Sequence, residues 1–162
     1  MNKIIFLDID GPVIPIDVPV HASVYRTVCN QDSIEYLNLL CDATGAKIVT
    51  NSMHNYVEWT GTELRDDLLR WGLDNEFLHN KWRTVFPMID YSKVKSPVRG
   101  IGRLLAIEHW IKQHGDTSWV CFDDRKFSEL ANLIHIEDGR GIKARHFNSA
   151  IDILGEVGIT KI

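Results

Sequence analysis

Short apolar runs alternate with amphipathic stretches along the whole chain. Residues 3–7, 47–50 and 119–122 are apolar runs of strand length, and the first of them is stopped by Gly11. Runs of this kind are typical of strands buried inside a parallel sheet. The amphipathic stretches between them have the periodicity of helices. Alternating strands and helices predict a parallel sheet that is covered by helices on both faces.

Apolar positions at helical spacing predict five helices. The first begins at Asp32 or Ser33 and ends at Gly45. The other four are predicted from Thr62 to Gly72, from Arg103 to Gln113, through Phe127 to Leu133, and from Ser149 to Leu154. Residues 76–86 and 133–136 predict two further short strands, and residues 92–102 predict a loop. The chain is therefore expected to fold as one domain over residues 1–162.

Carboxylates follow two of the predicted strands. Asp8 and Asp10 stand at the end of the first strand, and Asp123 and Asp124 follow the strand at residues 119–122. Ligands of open α/β sheets bind at the carboxyl ends of strands. Like charges gathered there repel each other, and a divalent cation with a preference for oxygen ligands, such as Mg²⁺, would offset the repulsion. The alternative is a cluster of turn and capping residues.

Composition and charge exclude several classes. The net charge of -4 gives no general basic footprint for nucleic acid, while basic residues crowd the middle of the chain and form either a local phosphate-binding patch or an ordinary solvated face. These residues are Lys81, Arg83, Lys93, Lys95, Arg99 and Arg103. No apolar run reaches membrane-spanning length and the N-terminus lacks a signal-peptide pattern, so we expect a cytoplasmic protein with no membrane partner. Three scattered cysteines indicate reduced thiols.

The chemical residues occur in a recognisable order. The order along the chain is Asp8 and Asp10, then a hydroxyl at Ser52 or Thr50, then a basic residue at the start of a helix, and finally Asp123 and Asp124. This order resembles the four motifs of the haloacid dehalogenase (HAD) superfamily of phosphotransferases. The resemblance covers nearly the whole chain. It implies a three-layer, Rossmann-like (HAD-like) α/β fold and a Mg²⁺-dependent phosphatase.

The resemblance also implies roles for the acids. Asp8 would be the nucleophile that accepts the phosphoryl group. Asp10 would be the general acid that protonates the leaving oxygen and later activates water, with its backbone carbonyl facing the metal. Asp123, with Asp124 as partner or alternative, would complete the magnesium site. Attack by a carboxylate replaces one hard displacement by two easier ones.

For the hydroxyl that binds the phosphate, Ser52 is the first choice and Thr50 the second, while Asn51 adds an amide donor. The surrounding sequence resembles a small capless subgroup, as found in RNA-repair proteins, whose pattern ends in Ser-x-Trp-Arg. This chain has His54 and Asn55 in place of the last two residues.

Arg103 fits the basic residue of the third motif best, because it precedes a helical run similar to that of the subgroup. Lys95 and Arg99 are the alternatives. An arginine at this position can hold two phosphate oxygens at once. The competing interpretation is an exposed basic residue at a helix N-terminus, which the helix dipole disfavours.

The spaces between the motifs are too short for a sizeable cap domain. An open site suits a large phosphorylated substrate, such as a nucleic-acid end, as well as a small molecule. Residues 122–125 also resemble the phosphatase domain of polynucleotide kinase-phosphatases, and no phosphate loop of a kinase is present. No obligate protein partner is predicted. Two other classes are weighed: a non-catalytic binding or regulatory module of the same fold, and a phosphate-accepting receiver domain, which the positions of the acids fit poorly.

Overall fold

A five-stranded parallel sheet forms the centre of the protein in the computed structural model. The structure describes residues 1–17, 29–52, 64–85, 98–127 and 130–157, and of residues 98–101 it describes only the backbone. The strands are β1 (Asn2–Leu7), β2 (Lys47–Thr50), β3 (Leu78–Arg83), β4 (Thr117–Asp123) and β5 (Leu133–His135), in the spatial order β3-β2-β1-β4-β5. Strands β1, β2 and β4 were predicted from the apolar runs, and β3 and β5 lie within the two further short strands predicted at residues 76–86 and 133–136.

Four helices lie within the described residues: α1 (Gln31–Thr44), α2 (Leu64–Arg70), α3 (Val98–His114) and α4 (Ala144–Leu154). Alternate residues of the central strand point to opposite faces of the sheet. Ile5 and Leu7 pack into the core under α1, α2 and α4, and Ile4 and Phe6 pack into the core under α3. The structure therefore has the three-layer α/β architecture predicted from the sequence.

Burial of the strand residues stabilises this arrangement. Ile5, Phe6, Leu7 and Phe122 are fully buried, and burying a side chain of this size contributes about 1.5–3 kcal/mol. On the α3 face the Phe6 ring makes edge-to-face contact with Trp110 at 5.7 Å. Trp110 also donates from Nε1 to the carbonyl of Lys81 at 3.1 Å, which ties α3 to β3.

The start of α3 differs from the prediction. The helix begins at Val98, so part of the predicted loop at residues 92–102 is helical, and the third motif residue Arg103 lies within the helix and does not open it. Gly100 and Gly102 lower the intrinsic helix propensity of this segment and hide the helix start. Residues 86–97 lie outside the described part of the chain.

The predicted helix through Phe127 to Leu133 is wrong where the structure describes it. Ala131 and Asn132 form a turn before β5. The Asn132 carbonyl accepts from the Cys121 N–H at 2.9 Å, and its side-chain amide donates to the Trp119 carbonyl at 2.9 Å. These bonds to β4 use the polar groups of the segment, so a helix would forfeit them.

The other differences concern helix ends. The N-cap of α1 is Asn30, whose side chain accepts from the Ser33 N–H, and neither Asp32 nor Ser33 is the cap. The Ser33 hydroxyl instead accepts from the Ile142 N–H at 2.8 Å. Helix α4 begins five residues before the predicted Ser149, at Ala144. The predicted stops at Gly45 and Gly72 are confirmed by their positive φ angles just after α1 and α2.

Candidate active site

The carboxyl ends of β1, β2 and β4 meet at one edge of the sheet. Their backbones remain paired past the strand ends, since the Asp8 N–H donates to the Phe122 carbonyl at 2.9 Å and the Asn51 N–H donates to the Leu7 carbonyl at 2.8 Å. These bonds hold the first residues after the strands at one level. They place Asp8 beside Asp123 on one side and beside Asn51 on the other.

Arg103 reaches this edge from α3 and joins the three strand ends. Its Nη1 lies 3.1 Å from Asp8 Oδ1 and 2.5 Å from Asp123 Oδ2. The same nitrogen donates to the backbone carbonyl of Asn51 at 3.1 Å. Arg103 is only 6 % exposed, and Asp8 and Asp123 are 2 % and 0 % exposed. A guanidinium carries five N–H donors in a planar fork, which is the geometry that binds two oxygens of one anion at once.

Three carboxylates cluster around this guanidinium. Oxygens of Asp8, Asp123 and Asp124 all lie within 4.8 Å of one another. If all three are ionised, one arginine leaves two negative charges uncompensated. A divalent cation balances them, and a set of carboxylate oxygens is the donor set that Mg²⁺ prefers. The trio therefore fits the magnesium site that the sequence predicts, with Asp10 contributing no side-chain oxygen to it.

The pKa values of Asp8 and Asp123 show the same excess of negative charge. Burial raises the pKa of Asp8, and Arg103 only partly counters it. Burial and the charge of Asp8 raise the pKa of Asp123 to about 7, although Arg103 and the N–H of Arg125 oppose this. A nearby cation would favour the ionised form of both groups and lower both pKa values.

The loop after β1 carries Asp10 and packs against Asp124 of the trio. Asp10 is partly exposed and forms an isolated parallel bridge with Ile14, and the Gly11 N–H donates to the Ile14 carbonyl at 2.7 Å. Gly11 has a φ of 94° and lies directly against Asp124: an added Cβ would be 2.9 Å from Asp124 Cγ and closer still to its Cβ. Only glycine fits this close approach without displacing the acid.

The structure places the predicted phosphate-binding residues as follows. Ser52 is 1 % exposed and lies two residues past the end of β2. The Thr50 hydroxyl donates to the Trp82 carbonyl on β3 at 3.3 Å. Asn51 is fully buried, and its Oδ1 accepts from the Thr84 hydroxyl at 2.8 Å. Their roles toward a phosphate stay predictions.

Four positions singled out from the sequence have no described side chain. Lys95 and the two residues that depart from the subgroup pattern, His54 and Asn55, lie outside the described residues. Arg99 lies in the first turn of α3, with only its backbone described. Among the described side chains, the basic residue that reaches the acids is Arg103, the first choice from the sequence.

Sequence reasoning missed two buried residues next to the site. Thr84, just past β3, is fully buried and donates to Asn51. Cys121 on β4 is fully buried, and burial together with the negative charge of Asp123 raises the pKa of its thiol well above the ordinary value. A threonine and a cysteine at strand ends carry no motif of their own. The register of β3 against β2, which brings Thr84 to Asn51, is interrupted by an irregularity between Ile48 and Thr50, and no sequence pattern predicts it.

A parallel sheet in this strand order, with an acid after β1, an acidic pair after β4 and a basic residue between them, defines a HAD-like α/β domain. The family described as "HAD domain in Swiss Army Knife RNA repair proteins" matches residues 4–147, and the chain belongs to this family. Domains of the HAD superfamily are usually hydrolytic and typically use Mg²⁺. No curated protein and no solved structure gives a significant match. In the part of the chain that the structure describes, no helix has the length and apolarity needed to span a membrane.

Proposed function

We propose that the protein is a magnesium-dependent phosphomonoester hydrolase that works through an aspartyl-phosphate at Asp8. The observation that carries the proposal is the contact of one arginine with both Asp8 and Asp123, at 3.1 Å and 2.5 Å, in a nearly dry site. A guanidinium between the nucleophile and the metal-binding acid stabilises charge that develops on a transferring phosphoryl group. Bound Mg²⁺, held by Asp8, Asp123 and Asp124, would polarise the phosphoryl oxygens and offset the charge of the acids.

The chain's own residues divide the reaction into two displacements. Arg103 holds Oδ1 of Asp8, so we assign the attack on phosphorus to Oδ2. As the new P–O bond forms, the bond to the leaving oxygen breaks, and that oxygen takes a proton from the Asp10 carboxyl group. Asp10, now a carboxylate, removes a proton from water, which attacks the phosphoryl group and returns Asp8 and inorganic phosphate. The partial exposure of Asp10 lets water reach it.

A single substitution tests this proposal. Asp8→Asn removes the nucleophile and keeps its shape, so we expect hydrolysis of an aryl phosphate in Mg²⁺ to fall by at least about 1,000-fold, into the range seen when a catalytic group is removed. Asp152→Asn is the matched control, because Asp152 is exposed in the last turns of α4. Turnover of Asp8→Asn equal to that of the control would refute the proposal.

We further propose that the phosphate is carried by the end of a nucleic acid. Membership of a family named for RNA repair supports this substrate class, and so does the lack of a cap domain among the described residues. At the same edge of the sheet, exposed Arg83 follows Trp82 with its guanidinium 5.4 Å from the ring, and Arg125 is exposed beside Asp124. Cations of this kind bind the phosphates that precede the end of a polynucleotide.

Rates on three substrates test the substrate class. A 3′- or 5′-phosphorylated oligonucleotide should give a higher kcat/KM than the corresponding mononucleotide and the aryl phosphate, and only the oligonucleotide rate should fall steeply with salt. Arg83→Ala should weaken the oligonucleotide reaction alone, with exposed Lys112→Ala on α3 as control. Equal kcat/KM for all three substrates would remove the nucleic-acid substrate and leave the phosphatase proposal intact.

A further inference from the structure

A chain of buried polar contacts extends from β3 to the candidate active site. The Thr84 hydroxyl donates to Asn51 Oδ1 at 2.8 Å, and the Asn51 carbonyl accepts from Arg103 Nη1 at 3.1 Å. Arg103 in turn contacts Asp8 and Asp123. Every member of this chain is at most 6 % exposed. Buried polar groups must find partners, so a change at one member is felt by the next.

Asn51 is held from two sides. Its N–H donates to the Leu7 carbonyl of β1 at 2.8 Å, and the carbonyl of the preceding residue, Thr50, accepts from the Thr84 N–H at 2.9 Å. The Thr84 hydroxyl lies 2.8 Å from Asn51 Oδ1 and 3.3 Å from the Thr50 carbonyl, so its one proton favours the shorter contact and fixes the side-chain amide of Asn51. The peptide before Asn51 and the side chain of Asn51 are therefore both fixed. This fixes the direction of the Asn51 carbonyl, which accepts the hydrogen bond from Arg103.

The amide nitrogen of Asn51 provides no second anchor for the side chain. Nδ2 is buried and makes no hydrogen bond of normal distance and angle with any residue that the structure describes. The thiol that it faces, Cys121, is a weak partner, although the amide favours its ionised form. The side chain of Asn51 therefore depends on Thr84 for its orientation, since an unfixed amide in a dry pocket could rotate.

We infer that Thr84 is a positioning residue of the active site: through Asn51 it holds the Arg103 guanidinium between Asp8 and Asp123. Thr84 does not touch the reacting groups. If Thr84 lacks its hydroxyl, the buried Oδ1 of Asn51 loses its donor. Asn51 and its backbone carbonyl then shift to recover a partner for that oxygen. The arginine then loses one of its three fixed partners. The kinetic part of this inference rests on the phosphatase activity proposed above.

Thr84→Val tests the inference because it replaces the hydroxyl by a methyl group at nearly constant size. A misplacement of about 1 Å at a catalytic group costs on the order of 100-fold, so we expect kcat on an aryl phosphate to fall roughly 10- to 100-fold. KM should stay near the wild-type value, because Arg103 acts mainly on charge that develops in the transition state. Thr84→Ser, which keeps the donor, should restore most of kcat.

Thr44→Val is the matched control. Thr44 is also buried, at 1 % exposure, and its hydroxyl donates to the Leu40 carbonyl at 2.6 Å at the opposite edge of the sheet. Both valine variants lose a buried hydroxyl and some stability. A purely structural role of Thr84 predicts that the two variants lose stability together and keep the wild-type kcat. That outcome would overturn the inference.

A second measurement does not need activity. In protein labelled with ¹⁵N-arginine, the guanidinium of Arg103 should give separate, slowly rotating Nη signals in the wild type, because Nη1 is held by hydrogen bonds to Asn51 and Asp123 and by the ion pair with Asp8. We expect these signals to merge or broaden in Thr84→Val and to persist in Thr84→Ser and Thr44→Val. Unchanged signals in Thr84→Val would refute the positioning role. A wild type without turnover but with the expected signals would refute the proposed function alone.

Discussion

Arg103 shows at the scale of one residue what the sequence could and could not reveal. Its type and its place in the order of motifs predicted that it lies near Asp8 and Asp123. The sequence did not reveal that its Nη1 also binds the Asn51 carbonyl, because a backbone acceptor has no residue identity. It also placed Arg103 at a helix start, whereas the residue projects from inside α3. Contacts to backbone groups depend on the fold and remain invisible in a residue pattern.

Gly11 allows a prediction at the scale of one residue. In Gly11→Ala the new Cβ would overlap with the Cβ of Asp124 and displace this acid from the trio. We expect a loss of stability beyond the cost of about 1–3 kcal/mol for a positive φ in a non-glycine residue. The increase in melting temperature on addition of Mg²⁺ should also be smaller than in the wild type. Urea unfolding and thermal melts with and without Mg²⁺ measure the two effects.

Gly115 supplies the control for this substitution. It has a φ of 90°, similar to that of Gly11, but an added Cβ would meet no atom of the described residues within 4 Å. Gly115→Ala should therefore show the backbone cost alone and keep the full response to Mg²⁺. Equal losses and equal Mg²⁺ responses in the two alanine variants would show that the contact with Asp124 is unimportant.

At the scale of elements, the connection between β5 and α4 carries its own charge network. Glu137 Oε2 accepts from His146 Nε2 at 3.0 Å, and Arg145 donates to Oε1. The His146 Nδ1 accepts from the Lys143 N–H at 3.1 Å, which assigns the ring proton to Nε2. Bonds from the backbone N–H of Glu137, from His146 and from Arg145 together lower the pKa of Glu137 to about 2.

This lowered pKa predicts a dependence of stability on acid. A carboxyl group that titrates at about 2 in the folded state and near 4.5 when unfolded stabilises the fold above pH 4.5. Its contribution is lost as the pH falls toward 2, because the unfolded state binds the proton first. The difference in stability between wild type and Glu137→Gln should therefore be constant above about pH 5 and shrink in acid, as followed by urea unfolding.

The control for the acid series is Glu35→Gln, which changes an exposed glutamate of α1. Its stability difference from the wild type should vary little over the same pH range, because Glu35 makes no ion pair with another described residue. A Glu137→Gln difference that stays constant down to pH 2 would show that the network of Glu137 does not stabilise the fold.

The elements themselves were predicted best where burial is continuous. Strands β1, β2 and β4 followed from their apolar runs, because a strand covered on both faces has no polar alternative. Strand β3 has only one buried residue, Leu78, and was predicted without an apolar run. The segment from Phe127 to Leu133 was predicted as a helix because its apolar spacing fits one, yet Asn132 bonds to β4 in a turn. Over so short a segment, the spacing of apolar residues does not distinguish one turn of α-helix from a non-helical turn that packs against the same core.

At the scale of the whole molecule, the candidate metal site joins distant parts of the chain. Asp8 follows β1 and Asp123 ends β4, so a bound cation would link the first strand to the fourth. A ligand that binds only the folded state stabilises it, by about 2.7 kcal/mol at a concentration of 100 Kd. The melting temperature should therefore rise steadily with the logarithm of the Mg²⁺ concentration above Kd, a result that needs no substrate.

Asp123→Asn tests the same link. We expect this variant to lose most of the Mg²⁺ response, because it removes a charged ligand from the trio. Asp116→Asn is the matched control, since Asp116 is exposed at the opposite end of the same strand. A full Mg²⁺ response in Asp123→Asn would exclude this residue as a ligand and move the metal site elsewhere.

The contact of Trp110 with its neighbours has a practical consequence. This tryptophan lies two helical turns after Arg103 on α3, at the rim of the Phe6 ring and stacked on the His114 imidazole at 4.0 Å. Indole emission depends on stacked and charged neighbours. The helix that presents the arginine to the active site therefore carries a natural fluorophore. A displacement of α3 during the reaction would change the fluorescence emission of Trp110, with no need for an attached label.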